Sequence, residues 1–104
     1  MFDGFDDVYD QNARLAILRF LAEQNDYRLS DSMIDDLLVT RLAINRGRGY
    51  VRTQLAWLEN SAGAVKNTNN GKVGIICELT TAGADHVLRR HVLPGIKRPG
   101  AGRN

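Results

Sequence analysis

The segment Asn45-Arg46-Gly47-Arg48-Gly49-Tyr50-Val51-Arg52-Thr53-Gln54-Leu55-Ala56-Trp57-Leu58 decides how this chain folds. Two glycines near its start loosen the backbone and end whatever helix precedes them. From Arg48 or Tyr50 onward, apolar residues recur at helical spacing, which predicts a helix ending near Asn60. At about 100° per residue, Leu55 and Leu58 fall within about 40° of Val51 and form a core stripe. Tyr50, Thr53, Ala56, Trp57 and Asn60 turn toward the opposite side, with Arg52 and Gln54 flanking. That mixture of a cation, hydroxyls, an amide and aromatics can touch phosphates and base edges. Trp57 is expected to pack against the hairpin that follows, because large aromatics usually bury most of their area.

Downstream, Ser61-Ala62-Gly63 ends this helix, and Ala64–Thr68 and Lys72–Leu79 flank Asn69-Asn70-Gly71. Asn-Gly between two strand-like runs predicts a hairpin with a type I′ turn. Its tip projects Lys66, Asn67, Asn69, Asn70 and Lys72. Thr80 can cap a last helix carrying Ala84, Val87, Leu88, His91 and Val92 on one side, which Pro94 stops. Residues 95–104 are glycine-rich and basic, as expected of a flexible tail.

Upstream, Ser30 is a good N-cap for a second helix over Asp31–Ala43, buried through Ile34, Leu37, Leu38 and Leu42. Asp31, Asp35 and Asp36 suit the positive end of its dipole and read as structural. Tyr27-Arg28-Leu29 can form a brief strand before it. A first helix over Ala13–Gln24, capped by Asp10, has two apolar stripes: Leu15, Leu18 and Ala22, then Ala13, Ala16, Ile17 and Phe20. An N-terminal helical extension over residues 1–9 adds Phe2, Phe5 and Tyr9 to the second stripe. The seam Phe2, Phe5, Tyr9, Ala13 and Phe20 is therefore expected to form a homodimer interface, unless the N-terminal segment or the last helix covers it.

A length of 104 residues fits one domain, here residues 1–94, and leaves little room for a separate cofactor domain. Charge is divided along the chain: residues 1–36 hold nine acids and three bases, net −6, and residues 37–104 three acids and eleven bases, net +8. The basic part attracts phosphate backbones by releasing condensed counterions. Cys77 lies in an apolar run and resembles a small core residue, which fits a reducing compartment. No apolar run approaches the roughly twenty residues of a membrane span and Met1-Phe2-Asp3-Gly4 lacks the basic start of a signal peptide, so a soluble cytoplasmic protein is expected. Neither catalysis nor metal binding is expected: His86 and His91 stand five apart on different helix faces, Asp35 and Asp36 diverge, and no phosphate-binding glycine loop is present. No cofactor is expected.

The order helix, short strand, two helices, hairpin, helix resembles winged-helix DNA-binding proteins over nearly the whole chain. The fold expected is mostly α with a small β-hairpin wing, a winged helix-turn-helix. Val51-Arg52-Thr53-Gln54-Leu55-Ala56-Trp57-Leu58 is similar to the recognition helix of ArsR- and MarR-type regulators, and Leu79-Thr80-Thr81-Ala82-Gly83 to the point where their wing enters a closing helix. The whole chain, including Pro94-Gly95-Ile96-Lys97-Arg98-Pro99, is similar to small winged-helix proteins of Mu-like bacteriophages and prophages, and so to a regulator working in a bacterial host. Gly47 and Gly49, and the soft exit Asn60-Ser61-Ala62-Gly63-Ala64, depart from the regulators' pattern. The expected partner is duplex DNA, met by Arg46, Arg48, Tyr50, Arg52, Thr53, Lys66, Asn69, Asn70 and Lys72. The alternative is a module of phage assembly or host takeover that holds another phage or host protein through the first-helix seam or the Tyr50–Trp57 face.

Overall fold

Seven elements follow one another: α1 (Asp3–Ala22), β1 (Arg28–Ser30), α2 (Asp31–Leu42), α3 (Gly47–Asn60), β2 (Val65–Asn70), β3 (Gly74–Leu79) and α4 (Thr81–Val87). The computed structural model describes residues 3–100, with side chains from Asp7 onward. Four helices pack with a three-stranded antiparallel sheet whose central strand is β3, flanked by β1 and β2.

The two stripes of α1 are wide because this helix runs through the middle of the domain, against α2, α3, α4 and β3. Ala13, Leu15, Ala16, Ile17, Leu18, Phe20 and Leu21 are all buried. A helix that is apolar around most of its circumference needs neighbours on several sides. Leu15, Ala16, Ile17, Leu18, Phe20 and Leu21 join Ile34, Leu38, Val51, Leu55, Leu58, Val65 and Cys77 in one core. Burying a leucine fully contributes about 1.5–3 kcal/mol. Asp10, expected to cap α1, lies inside it, since the helix starts near Asp3.

Ser30 ends β1 and caps α2 as its sequence position predicts, its Oγ accepting the Met33 N–H at 3.2 Å. Ala43 closes the helix in the left-handed region, and the Ile44 N–H reaches back to the Leu38 carbonyl. Ile34 and Leu38 are buried, but Leu42, assigned to the same stripe, is exposed because the helix ends there.

The β2–β3 turn differs from the type I′ expectation. Asn70 pairs with Gly74 across a three-residue loop, and the positive φ falls at Gly74 (102°), not at Asn70 or Gly71. The Asn70 carbonyl accepts the Val73 N–H and its Oδ1 accepts the Lys72 N–H, so the asparagine side chain closes the turn itself. Gly74 is required for a second reason: a Cβ there would lie 2.7 Å from Oδ1 of Asp31.

Thr80 caps α4, accepting the Gly83 N–H at 3.2 Å while donating to the Gly63 carbonyl at 2.7 Å. The helix is only seven residues long, shorter than its apolar pattern suggests. Arg89 takes a left-handed φ of 62°, and the chain turns back to bury Leu93 and Ile96. His86 holds this return. Its Nδ1 accepts the Leu93 N–H at 3.0 Å, which leaves Nε2 to carry the proton and donate to the Lys97 carbonyl at 2.9 Å. His86 is thus a fully buried clasp.

Residues 95–100, expected to start a flexible tail, are instead packed on the domain. The Gly95 carbonyl accepts from Arg14 Nη1 at 2.8 Å, and the Lys97 N–H donates to the Gln11 carbonyl. The apolar Ile96 within the basic run explains the difference. Residues 101–104 of that expected tail lie outside the described residues. Among the described residues no helix is long and apolar enough to cross a membrane.

Candidate nucleic-acid interface

Helix α3 presents three faces, each set by what packs on it. Val51, Leu55 and Leu58 enter the core, as their spacing predicts. Tyr50, Gln54 and Trp57 turn toward α1. The open face carries Arg48, Gly49, Arg52, Thr53, Ala56 and Asn60, all exposed.

The face toward α1 is closed by the chain's own polar groups. The Tyr50 hydroxyl donates to Oδ1 of Asp10 at 2.5 Å, and its ring meets that of Tyr9 edge-on at 6.3 Å. Burial, then the Asp10 carboxylate, pushes the Tyr50 phenol well above its ordinary range. The Arg46 guanidinium lies 4.1 Å from the centre of the Tyr9 ring and 5.3 Å from that of Tyr50. Buried Arg14 donates from Nε to Oε1 of Gln54 at 2.7 Å and stacks over Trp57 at 3.8 Å. Trp57 therefore packs on Arg14 and beside Gly95, where a Cβ would come within 2.5 Å of its ring.

Tyr50 and Arg46, both expected to contact DNA, are thus drawn toward α1. The proposed dimer seam meets the same fate: Ala13 and Phe20 are buried within the single chain and Tyr9 faces Tyr50 and Arg46. The returning C-terminal segment, with Ile96 in the same core as Phe20, lies across α1. Phe2, and the side chain of Phe5, lie outside the described residues.

On the open face Arg48 and Thr53 are exposed, Thr53 Oγ1 bonding back to the Gly49 carbonyl at 3.1 Å. Arg52 differs. Its Nε donates to Oδ2 of Asp31 at 2.6 Å; the Arg52 side chain is 47% exposed and that of Asp31 fully buried. The other Asp31 oxygen, Oδ1, accepts the Ser32 N–H at 2.9 Å. Burial raises the carboxyl's pKa, but Arg52 and the backbone N–H groups of Ile75 and Ser32 outweigh it and hold Asp31 below the usual carboxylate range. Asp31 therefore joins α2, α3 and the start of β3, a role beyond helix-dipole compensation.

The hairpin is fastened to α3 through Asn67, whose side-chain amide donates to the Leu55 carbonyl at 2.9 Å and whose N–H donates to Oε2 of Glu59 at 3.2 Å. Asn67, expected to project from the tip, is thus an anchor. Lys66, Asn69, Asn70 and Lys72 are exposed. Asn70 also shapes the turn with its Oδ1.

Sequence reasoning missed Asp31, Gly74 and Arg14. An acid at a helix start and a glycine near a turn are common, and only the fold shows that they meet. Cys77 is buried, and its thiol is pushed up to about 12 by burial and then by the Glu59 charge, so it stays protonated. Among the described residues, no three His, Cys, Asp or Glu side chains cluster so as to hold a metal ion. Comparison with family models, curated proteins and solved structures finds no match to this chain.

Proposed function

We propose that this chain is a winged helix-turn-helix protein that binds duplex DNA, with α3 in the major groove and the β2–β3 hairpin as a wing on the flanking backbone. In this reading it occupies an operator-like site as a transcriptional regulator, and the resemblance to Mu-like phage proteins makes a phage or prophage its source. The element order α1-β1-α2-α3-β2-β3-α4 supports the fold. One observation carries the function: among the described residues, α3 itself puts cations and polar groups but no carboxylate on its open face. The helix's sole acid, Glu59, is half-buried and bonded to Asn67, while Arg48, Arg52, Thr53 and Asn60 are left facing outward. Lys66 and Lys72 add cations on the hairpin fastened beside it.

The second reading, a protein-interaction module, draws on Asp10 and Asp31, acids of the first two helices that engage Tyr50 and Arg52 and lower the positive charge of the surface. Titration of a duplex pool at low salt separates the two. DNA binding predicts an affinity that falls steeply with salt, with Lys72→Ala weakening all sequences alike and lowering the log–log salt slope by about one. Absence of duplex binding at low salt would leave the protein-interaction reading.

A further inference from the structure

We propose that Arg52 reads a single guanine, and that Asp31 and Gly74 are positioning residues that aim it. This rests on the duplex-binding reading and gives that site its specificity. The geometry points to reading and not to gripping. A contact with phosphate needs a free positive charge, but the carboxylate of Asp31, 2.6 Å from Nε, cancels most of the arginine's long-range field. What the ion pair leaves intact is direction. The guanidinium is planar, so fixing Nε on Asp31 fixes the plane and heading of Nη1 and Nη2. Those terminal nitrogens make no other hydrogen bond among the described residues, and the side chain is half exposed on the open face.

Guanine offers O6 and N7 as two acceptors to such a fork. Adenine offers N7 beside an N6 donor, which opposes one of the two N–H groups. Asp31 is itself fully buried, and its Oδ1 accepts the Ser32 N–H. The missing side chain at Gly74 makes the space for its Oδ1. The hairpin and α2 together therefore set the direction of one reading side chain on α3.

The test starts by selecting bound duplexes from a random pool with the unaltered protein. The selected site is then titrated as it stands, with each guanine replaced by adenine, and with each replaced by 7-deazaguanine, which lacks the N7 acceptor. Wild type, Arg52→Lys, Arg52→Ala and Asp31→Asn are compared, with circular dichroism confirming that each variant is folded. One guanine should be preferred over adenine by about tenfold or more, and 7-deazaguanine there should cost wild type severalfold in affinity. Arg52→Lys and Asp31→Asn should bring that preference to about twofold or less, because a point charge or an unaimed fork no longer distinguishes the bases; non-specific affinity should hold in Arg52→Lys and rise in Asp31→Asn, whose released charge can reach phosphate. Arg52→Ala should lose the same preference, whereas Lys72→Ala should keep it and weaken binding to every sequence alike. The 7-deazaguanine titration uses the unaltered protein, so an unfolded variant cannot obscure the result. A selected site in which no guanine matters, or full preference in folded Asp31→Asn, overturns this inference and leaves duplex binding standing. Failure of wild type to bind any duplex overturns both.

Discussion

Two arginines lie on opposite sides of α3, Arg14 reaching it from α1 and Arg52 borne by the helix itself, and they are bound differently. Arg14 is buried, donates to Gln54 and to the Gly95 carbonyl, and lies flat on Trp57. Arg52 makes one ion pair through Nε and is otherwise open to solvent. Neither role follows from membership of a basic stretch: Arg14 lies in the acidic part of the chain and is structural, while Arg52 lies in the basic part and is nearly neutralised. Burial and the number of donors already engaged decide whether an arginine holds the protein together or remains free to meet a partner.

The comparison breaks most visibly at Arg14. Arg14→Ala leaves Oε1 of Gln54 and the Gly95 carbonyl without their donor and uncovers the face of Trp57, a combined cost of about 3–4 kcal/mol. Urea denaturation should show this as a lower midpoint, and cleavage by protease should rise first around residues 93–100, which Arg14 helps to hold. A variant as stable as wild type would mean that the α1 side of α3 is held by apolar packing alone.

At Asp31 the expected effect is smaller, because Arg52 can turn to water once released. Asp31→Asn should cost about 2 kcal/mol near neutral pH, below the range for a fully buried pair. The pH dependence has a definite sign. Asp31 is held below its ordinary value of 3.8, since Arg52 and the Ile75 and Ser32 N–H groups outweigh burial, so its contribution is fully present above about pH 4. It is lost as pH falls through the lower folded value. Measured stabilities of wild type and Asp31→Asn should converge on acidification below pH 4 and run parallel above about pH 5. A constant gap across that range would remove the ion pair from the explanation.

Much of this architecture is legible in local pattern. The Val51, Leu55, Leu58 stripe, the Ser30 and Thr80 caps and the existence of the hairpin all depend on residues close in sequence, where spacing and side-chain chemistry act directly. What local pattern could not supply are encounters between distant residues. Gly74 reads locally as part of the second hairpin strand, yet its place is also required by a carboxylate 43 residues away. The apolar seam of α1 read as an interface because nothing local showed that Leu93 and Ile96 would return to the core. Residues 88–92 continue a helical pattern past the point where His86 reverses the chain, and a histidine engaged at both ring nitrogens has no sequence signature.

The smallest effect, and the one of opposite sign, separates the two glycines that open α3. Gly47 has a φ of 88°, which side chains rarely adopt, so Gly47→Ala should destabilise by about 1 kcal/mol. Gly49 lies within the helix, has no positive φ and would find nothing within 4 Å of an added Cβ. Gly49→Ala should therefore stabilise the domain by about 0.5–1 kcal/mol, mainly by restricting the unfolded chain. Thermal melting of both variants checks the pair. A rise for Gly49→Ala beside a fall for Gly47→Ala fixes the start of α3 between them. If both fell, Gly49 would not be helical in solution, and α3 would start a turn later, nearer the Tyr50 that its sequence also allows.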